Sequence, residues 1–219
     1  MESVIRKPAL LLIPLLLAIL VGGCTEKPPP APKPSSPEVQ RPPAKELVGR
    51  NILMIISPRD FRDEELFEPK RIFEEKGAKV VLASTQTGEA RGMLGGTARP
   101  ELRISKAKAE DYNAIVVVGG IGSREYLWND KDLASLVTQA FQESRVVAAI
   151  CLSPVVLARA GILKGRQATV FPTPEALEEL ENGGAIYVKQ GVVVSGRGYN
   201  RQRSSKRPGL RPGYLPGAD

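Results

Sequence analysis

Residues 145–160 read RVVAAICLSPVVLARA, an apolar run that ends in a cysteine and is followed by a second apolar segment. The apolar run at 145–150 predicts a strand buried on both faces of a parallel sheet, and 153–160 predicts the helix that follows it. Cys151 falls on the sharp turn between the two elements. A turn of this kind strains its central residue and needs small residues two positions away on either side, which Ala149 and Ser153 supply. The sequence therefore predicts a thiol presented at the edge of the sheet, as in a nucleophile elbow.

Two interpretations of Cys151 follow from this spacing. In the first, the following helix N-terminus stabilises the thiolate, so that the pKa of the thiol is lowered and the group is reactive. In the second, Cys151 is an inert buried cysteine that closes a strand, since a small residue on either side also occurs by chance. The spacing alone leaves both open.

The remaining pattern alternates strands with helices. Strands are predicted at 51–57, 79–84, 113–120, 145–150 and 167–171, and helices after 63, at 131–144, at 153–160 and at 175–182. We expect Asp63 to cap the first helix and Pro69 to interrupt it. A hairpin-like excursion is predicted at 88–103, and paired strands at 185–189 and 192–195. This order predicts an α/β fold, flavodoxin-like and doubly wound, with a mostly parallel sheet flanked by helices and a site at the strand C-termini.

The N-terminal residues have the pattern of a secretory targeting signal. Arg6 and Lys7 precede an apolar run at 9–21, which is shorter than the ~20 residues of a spanning helix, and Gly22 and Gly23 lead into Cys24. The pattern resembles a bacterial lipoprotein box, which predicts a signal peptide at 1–23, lipid attachment at Cys24 and anchoring in a lipid bilayer of the cell envelope on its extracytoplasmic side. An uncleaved anchor with an incidental cysteine is the alternative. The Pro-rich segment 24–49 is predicted to be an extended linker.

Charge and composition exclude several classes of site. The net charge is +7, and residues 196–219 alone contribute six basic residues against one acid, so the rest of the chain is nearly neutral. We expect no nucleic acid partner for a basic tail on an exported protein. The chain contains no histidine, which removes Cys-His dyads, Ser-His-Asp triads and histidine metal sites. We therefore expect no metal. We also expect no cofactor, because GGIG at 119–122 lacks the GxGxxG context of a nucleotide site.

Three blocks of sequence resemble the PfpI family, which includes the DJ-type proteins and lies within the class I glutamine amidotransferase-like superfamily. They are NILMIISPRDFRDEELFEP at 51–69, AIVVVGGIG at 114–122 and VVAAICLSPVVLARAGILKGRQATVFP at 146–172. All three occur in the family's order. The resemblance covers a domain at 50–198.

This resemblance implies a set of site residues. The family's reactive cysteine matches Cys151, and its partner carboxylate on the first helix matches Glu65. The backbone donors of its oxyanion site match Gly119, Gly120 and the amide of Leu152. A protonated Glu65 beside a thiolate would donate to the sulfur and hold the charge there. The resemblance also implies a homodimer.

The chain departs from the family in two places. Protease-like members carry histidine after the cysteine, whereas this chain has Leu152, so peptidase activity is not expected. The family's final helix has no counterpart in residues 199–219, which lack apolar periodicity, contain Pro and Gly, and are predicted to be a basic disordered tail. A sheet face or dimer surface should then be less covered than in relatives.

Two functions remain open at this stage. In the first, Cys151 attacks a small reactive carbonyl, in a glyoxalase-, deglycase- or amidase-like reaction or within an oxidative stress response. In the second, the chain is a non-catalytic binding or scaffold module of the envelope, and the bulky Leu152 beside the thiol marks a vestigial site.

Overall fold

A computed structural model describes residues 46–195. The predicted signal peptide at 1–23, Cys24, nearly all of the 24–49 linker and the tail at 199–219 lie outside these residues, as does the predicted absence of a C-terminal helix.

Ten strands and four α-helices are found within residues 46–195. The strands are β1 Asn51–Ile55, β2 Arg59–Phe61, β3 Lys79–Ser84, β4 Ala90–Gly92, β5 Thr97–Ala98, β6 Leu102–Arg103, β7 Ala114–Val117, β8 Val146–Ala149, β9 Gln167–Ala168 and β10 Ile186–Tyr187. The helices are α1 Asp63–Glu75, α2 Lys131–Gln142, α3 Pro154–Arg159 and α4 Pro174–Asn182. A π-helical turn at Ser123–Leu127 precedes α2.

The central sheet has five strands in the order β6-β3-β1-β7-β8, and every pairing in it is parallel. Strand β1 is a nearly continuous apolar run because a parallel sheet flanked by helices buries both faces. Leu53 and Ile55 of β1 belong to one core cluster, and Ile52 and Met54 belong to a second on the opposite face. The observed architecture is the predicted flavodoxin-like, mostly parallel α/β sandwich.

Strands β4 and β5, in the excursion after β3, form a small second sheet with β2, in the order β2-β4-β5. The antiparallel pairing of β4 with β5 confirms the predicted hairpin. Beyond it, β6 joins the edge of the central sheet alongside β3.

Several details of the sequence prediction are wrong. Asp63 does not cap α1; it is the first helical residue, and its buried carboxylate accepts the amides of Leu94 at 2.8 Å and Gly96 at 2.7 Å. Pro69 does not interrupt α1, because the helix tolerates the loss of one N–H donor. At the C-terminal end, residues 192–195 form no strand, and β10 pairs in parallel with β9 instead.

The outer side of the central sheet at β8 is exposed within the described part of the chain. Side chains on this strand alternate in burial, and Val146 and Ile150 are 50% and 42% exposed. Both lie on the sheet face that α1 covers further along, over β1 and β3. The apolar face is therefore only partly covered by residues 46–195. None of the helices in these residues is long and apolar enough to cross a membrane.

Candidate functional site

Cys151 lies at the strand-to-helix turn that the sequence predicts. Its φ angle is +60°, a left-handed conformation that a side chain other than glycine adopts at a cost of order 1 kcal/mol or more. Three backbone hydrogen bonds hold the turn: Ile150 donates to the Val117 carbonyl at 3.2 Å, Ser153 to the Ile150 carbonyl at 3.0 Å, and Phe171 to the Cys151 carbonyl at 2.8 Å. The strained backbone presents the half-buried thiol beyond the end of β8.

Glu65 lies in the first turn of α1 and reaches the same place. Its Oε2 accepts the amide of Gly119 at 3.0 Å. A side-chain carbon built at Gly119 would overlap the Cβ of Cys151 and crowd Oε2 of Glu65, so these two groups flank one small volume. The neighbouring Glu64 pairs instead with Arg62 at 2.9 Å on the exposed surface. The structure thus brings Glu65, and not Glu64, to the thiol.

The Gly119–Gly120 turn follows β7 and supplies two different donors. Gly119 donates to Glu65, while the amides of Gly120 and Leu152 approach the sulfur of Cys151. Gly120 has a φ of +100°, and its backbone packs so closely against Asp60 and Arg62 that no side chain fits. Glycine is required at position 120 because the φ angle is positive and the backbone of Asp60 and Arg62, just before α1, leaves no room for a side chain.

Burial dominates the electrostatics of both groups. It raises the pKa of Glu65, an effect that the hydrogen bond from Gly119 partly offsets. It also raises the pKa of Cys151, since the amides of Gly120 and Leu152 oppose the desolvation of the thiolate without overcoming it, and the Glu65 carboxylate adds repulsion. The expected lowering of the thiol pKa is therefore wrong: the helix after Cys151 is only six residues long, and the sulfur is half-buried beside an acid.

Leu152 packs into the core beneath the site. It is 8% exposed and belongs to the main buried cluster. Its carbonyl accepts a hydrogen bond from the indole Nε1–H of Trp128 at 3.0 Å, which fixes the Leu152–Ser153 peptide. The leucine side chain offers no proton-transfer group beside the thiol.

The sequence reasoning missed Trp128 and assigned no role to the hydroxyl of Ser153. Trp128 is the only tryptophan of the chain, but nothing in its spacing connects it with residue 152. The sequence pattern at the turn requires of Ser153 only that it is small. Any small side chain would close the turn, so the presence of a hydroxyl at position 153 is a signal that could have identified a role for Ser153.

A cleft of about 410 Å³ opens beside the Gly120 turn. It is lined by Asp60, Ile121, Gly122, Arg124 and Glu125. Across residues 46–195, no three Cys, Asp or Glu side chains lie close enough together to hold a metal ion. The chemistry at hand is that of one thiol, one carboxyl and backbone amides.

The chain is similar to several proteins of known family. An uncharacterised protein of Methanocaldococcus jannaschii is 59% identical over 150 residues, which are 68% of this chain and 73% of that protein. A protein of Thermococcus kodakarensis named as a deglycase is 32% identical over 157 residues, or 72% of this chain and 90% of that protein.

Solved structures show the same relationship. The ThiJ/PfpI domain protein from Brachyspira murdochii is 37% identical and superposes with a TM-score of 0.63, covering 67% of this chain and 83% of that chain. Drosophila melanogaster DJ-1beta, at 23% identity and a TM-score of 0.58, shares the fold over 67% of this chain and 77% of its own. The profile of the DJ-1/PfpI family matches residues 50–209. The chain therefore belongs to the DJ-1/PfpI family.

Proposed function

We propose that this protein is a cysteine-dependent enzyme that acts on small reactive carbonyl compounds, with Cys151 as nucleophile and Glu65 as proton carrier. The observation that carries the proposal is the contact between these two groups across Gly119, at a strained turn. Titratable groups that lie together with perturbed pKa values are typical of catalytic sites.

The proposed first step is addition of the thiol to an aldehyde, such as that of a 2-oxoaldehyde. The sulfur forms a bond to the carbonyl carbon, and the electron pair of the C=O π bond moves to oxygen. Glu65 takes the thiol proton and delivers it to that oxygen, which gives a neutral hemithioacetal. The amides of Gly120 and Leu152 lie where they can share their hydrogen bonds between the sulfur and the developing oxyanion.

The raised pKa of the thiol fits an enzyme in which substrate and base act together. A free thiolate is scarce at neutral pH, so attack is coupled to proton transfer to the adjacent Glu65. The name of the similar deglycase from Thermococcus kodakarensis supports a reactive-carbonyl substrate. Peptidase activity is not proposed, because no histidine is present to protonate an amine leaving group.

The test is consumption of methylglyoxal by the wild-type chain and by Cys151→Ala. Loss of more than about 99% of the turnover is expected, because covalent attack requires the sulfur. Ser84→Ala is the matched control, since Ser84 at the end of β3 is a buried hydroxyl with no hydrogen-bond partner among residues 46–195, and its removal should leave turnover unchanged. Equal turnover in Cys151→Ala and the wild type would favour the alternative of a non-catalytic envelope module.

We also propose that the protein is anchored at Cys24 in a cell-envelope membrane, with its domain on the extracytoplasmic side. The support is the motif of residues 9–24 and the Pro-rich segment that follows it. An exposed location would bring the Cys151 site into contact with carbonyls and peroxides that enter from outside the cell. A homodimer remains a proposal that rests on family resemblance.

A further inference from the structure

A buried chain of hydroxyl groups lies behind the Cys151 turn. Ser123 and Ser153 are both fully buried, and their Oγ atoms are 2.6 Å apart. The Ser153 hydroxyl also lies 2.7 Å from the carbonyl oxygen of Val118. Because a carbonyl only accepts, Ser153 donates its proton to Val118, and the 2.6 Å bond must then run from Ser123 to Ser153.

The Val118–Gly119 peptide connects this chain to Glu65. Its carbonyl accepts the Ser153 hydroxyl, and its N–H is the Gly119 amide that donates to Oε2 of Glu65 at 3.0 Å. A peptide group is planar, so a bond that fixes its carbonyl also fixes the direction of its N–H. The successive bonds all point the same way, from Ser123 toward the carboxyl, and bonds in such a chain polarise and strengthen one another.

We propose that Ser153, supported by Ser123, is a positioning residue that aims the Gly119 amide at Glu65 and so holds this carboxyl against Cys151. The inference rests on the proposed function for the role of Glu65. It adds two residues that touch neither the thiol nor a substrate but act on the proton carrier through one peptide group.

Two further observations favour a specific role over simple filling of space. The turn at residue 153 needs only a small side chain, which alanine or glycine would also provide. The buried hydroxyls of Ser57 and Ser84, at or just beyond the C-terminal ends of neighbouring strands, have no hydrogen-bond partner within the described part of the chain. Those of Ser123 and Ser153 are hydrogen-bonded one after the other. Burial of a hydroxyl in this fold thus does not by itself produce such bonds.

The test is the pH dependence of alkylation of Cys151 by iodoacetamide in the full-length chain. Alkylation is read by mass spectrometry on the tryptic peptide of residues 146–159, which separates Cys151 from Cys24. The two groups titrate as a pair, so the rate should rise in two steps, of which the acid-side step disappears in Glu65→Gln.

In Ser153→Ala, we expect this acid-side step to move up by about half a pH unit, because a less well aimed Gly119 amide stabilises the carboxylate less. The rate on that limb should fall about threefold as a result. Ser123→Ala should shift the step in the same direction by a smaller amount. The other titratable groups that act on Glu65 are Cys151, Arg62 and Glu64, and none of them is altered in these variants.

Ser84→Ala is the control and should superimpose on the wild type, and thermal unfolding identifies any variant that has lost its fold. Profiles of Ser153→Ala and Ser123→Ala that coincide with the wild type, or shift to lower pH, would overturn the positioning role. If Glu65→Gln also leaves the wild-type profile unchanged, the Glu65–Cys151 pair itself fails and the proposed function fails with it. A step that vanishes in Glu65→Gln but stays in place in both serine variants overturns only the positioning role.

Discussion

Burial raises the pKa of both the Cys151 thiol and the Glu65 carboxyl in the folded protein. Burial disfavours charge on each group, and charge on one disfavours charge on the other. A thiol in this state is protected from indiscriminate reaction with weak electrophiles, since the thiolate is the attacking species.

This preference links the charge of Cys151 to the stability of the fold. Because the pKa of the folded thiol is raised above its ordinary value of 9.0, the stabilising contribution of the thiol is complete below that value and is lost as pH rises through the folded pKa. We predict that the unfolding free energy of the wild type falls faster above pH 9 than that of Cys151→Ser, whose hydroxyl does not ionise in this range.

One proton sets an upper limit of about 1.4 kcal/mol per pH unit on the difference in slope, and the half-exposed sulfur should show only part of it. Urea titrations at pH values from 8 to 10.5 measure the slopes. Comparison of the two proteins cancels the tyrosines and lysines that also ionise there, and Ser84→Ala should follow the wild type. Parallel curves for wild type and Cys151→Ser would show that the thiol is no harder to ionise in the fold than in the unfolded chain.

At the level of single residues, the sequence predicted where the site residues lie better than it predicted the pKa of the thiol. The elbow at Cys151 and the selection of Glu65 follow from local spacing and from family resemblance. The direction of the thiol pKa does not, because it depends on how much water reaches the sulfur and on how close the carboxyl lies. Both are set by elements far apart in the chain.

Among the elements, α3 and α4 are joined by an ion pair with two hydrogen bonds. Arg159, at the end of α3, makes a two-pronged ion pair with Glu179 of α4 at 2.6 and 2.7 Å. Its guanidinium also lies 5.5 Å from the ring centre of Trp128, whose indole bonds to the Leu152 carbonyl. Arg159 thus connects α3, the helix that follows Cys151, to α4 and to Trp128.

We predict that Glu179→Gln lowers the unfolding free energy by about 1 kcal/mol at neutral pH, because it removes the two-pronged ion pair. The hydrogen bond from Arg159 lowers the pKa of Glu179, so this contribution is present above the ordinary value of 4.5 and is lost as pH falls through the lowered pKa. Chemical denaturation should therefore show the two proteins converging in acid.

Glu178→Gln provides the matched control, since Glu178 is an exposed neighbour on the same helix with no ion pair among the described residues. A loss of stability equal to that of Glu179→Gln would assign the effect to helix charge rather than to Arg159.

Element types were predictable where periodicity was strong, as in β1, β7 and α2. The errors lie where a distant contact replaces a local one. The sequence pattern predicts Asp63 as a helix cap. Its carboxylate instead accepts the amides of Leu94 and Gly96, in a loop that is distant in sequence. The pairing of β10 with β9 likewise depends on α4, which brings the two segments together.

For the whole molecule, the predicted lipid anchor would determine where the protein is found. We predict that the full chain, expressed in a bacterium grown with labelled palmitate, takes up the label and sediments with membranes, and that Cys24→Ala does neither. Cys151→Ala is the matched control and should keep the label. Membrane association without label would support the uncleaved-anchor alternative.

The overall architecture was predictable because alternating buried strands and amphipathic helices leave few topologies available. The family blocks then fixed which of these topologies the chain adopts. The sequence could not show that a serine hydroxyl and a tryptophan indole would meet the Cys151 turn from the segment after β7. Such meetings arise only when the chain is folded.

The half-covered strand β8 has a practical consequence. Its outer backbone groups have no strand partner within residues 46–195, and the apolar side chains of Val146 and Ile150 stand beside them. An open border of this kind is a template for adhesion between molecules, limited here by a length of only four residues. Concentrated preparations should accordingly grow turbid with time, and a lysine introduced at position 146 should keep them clear.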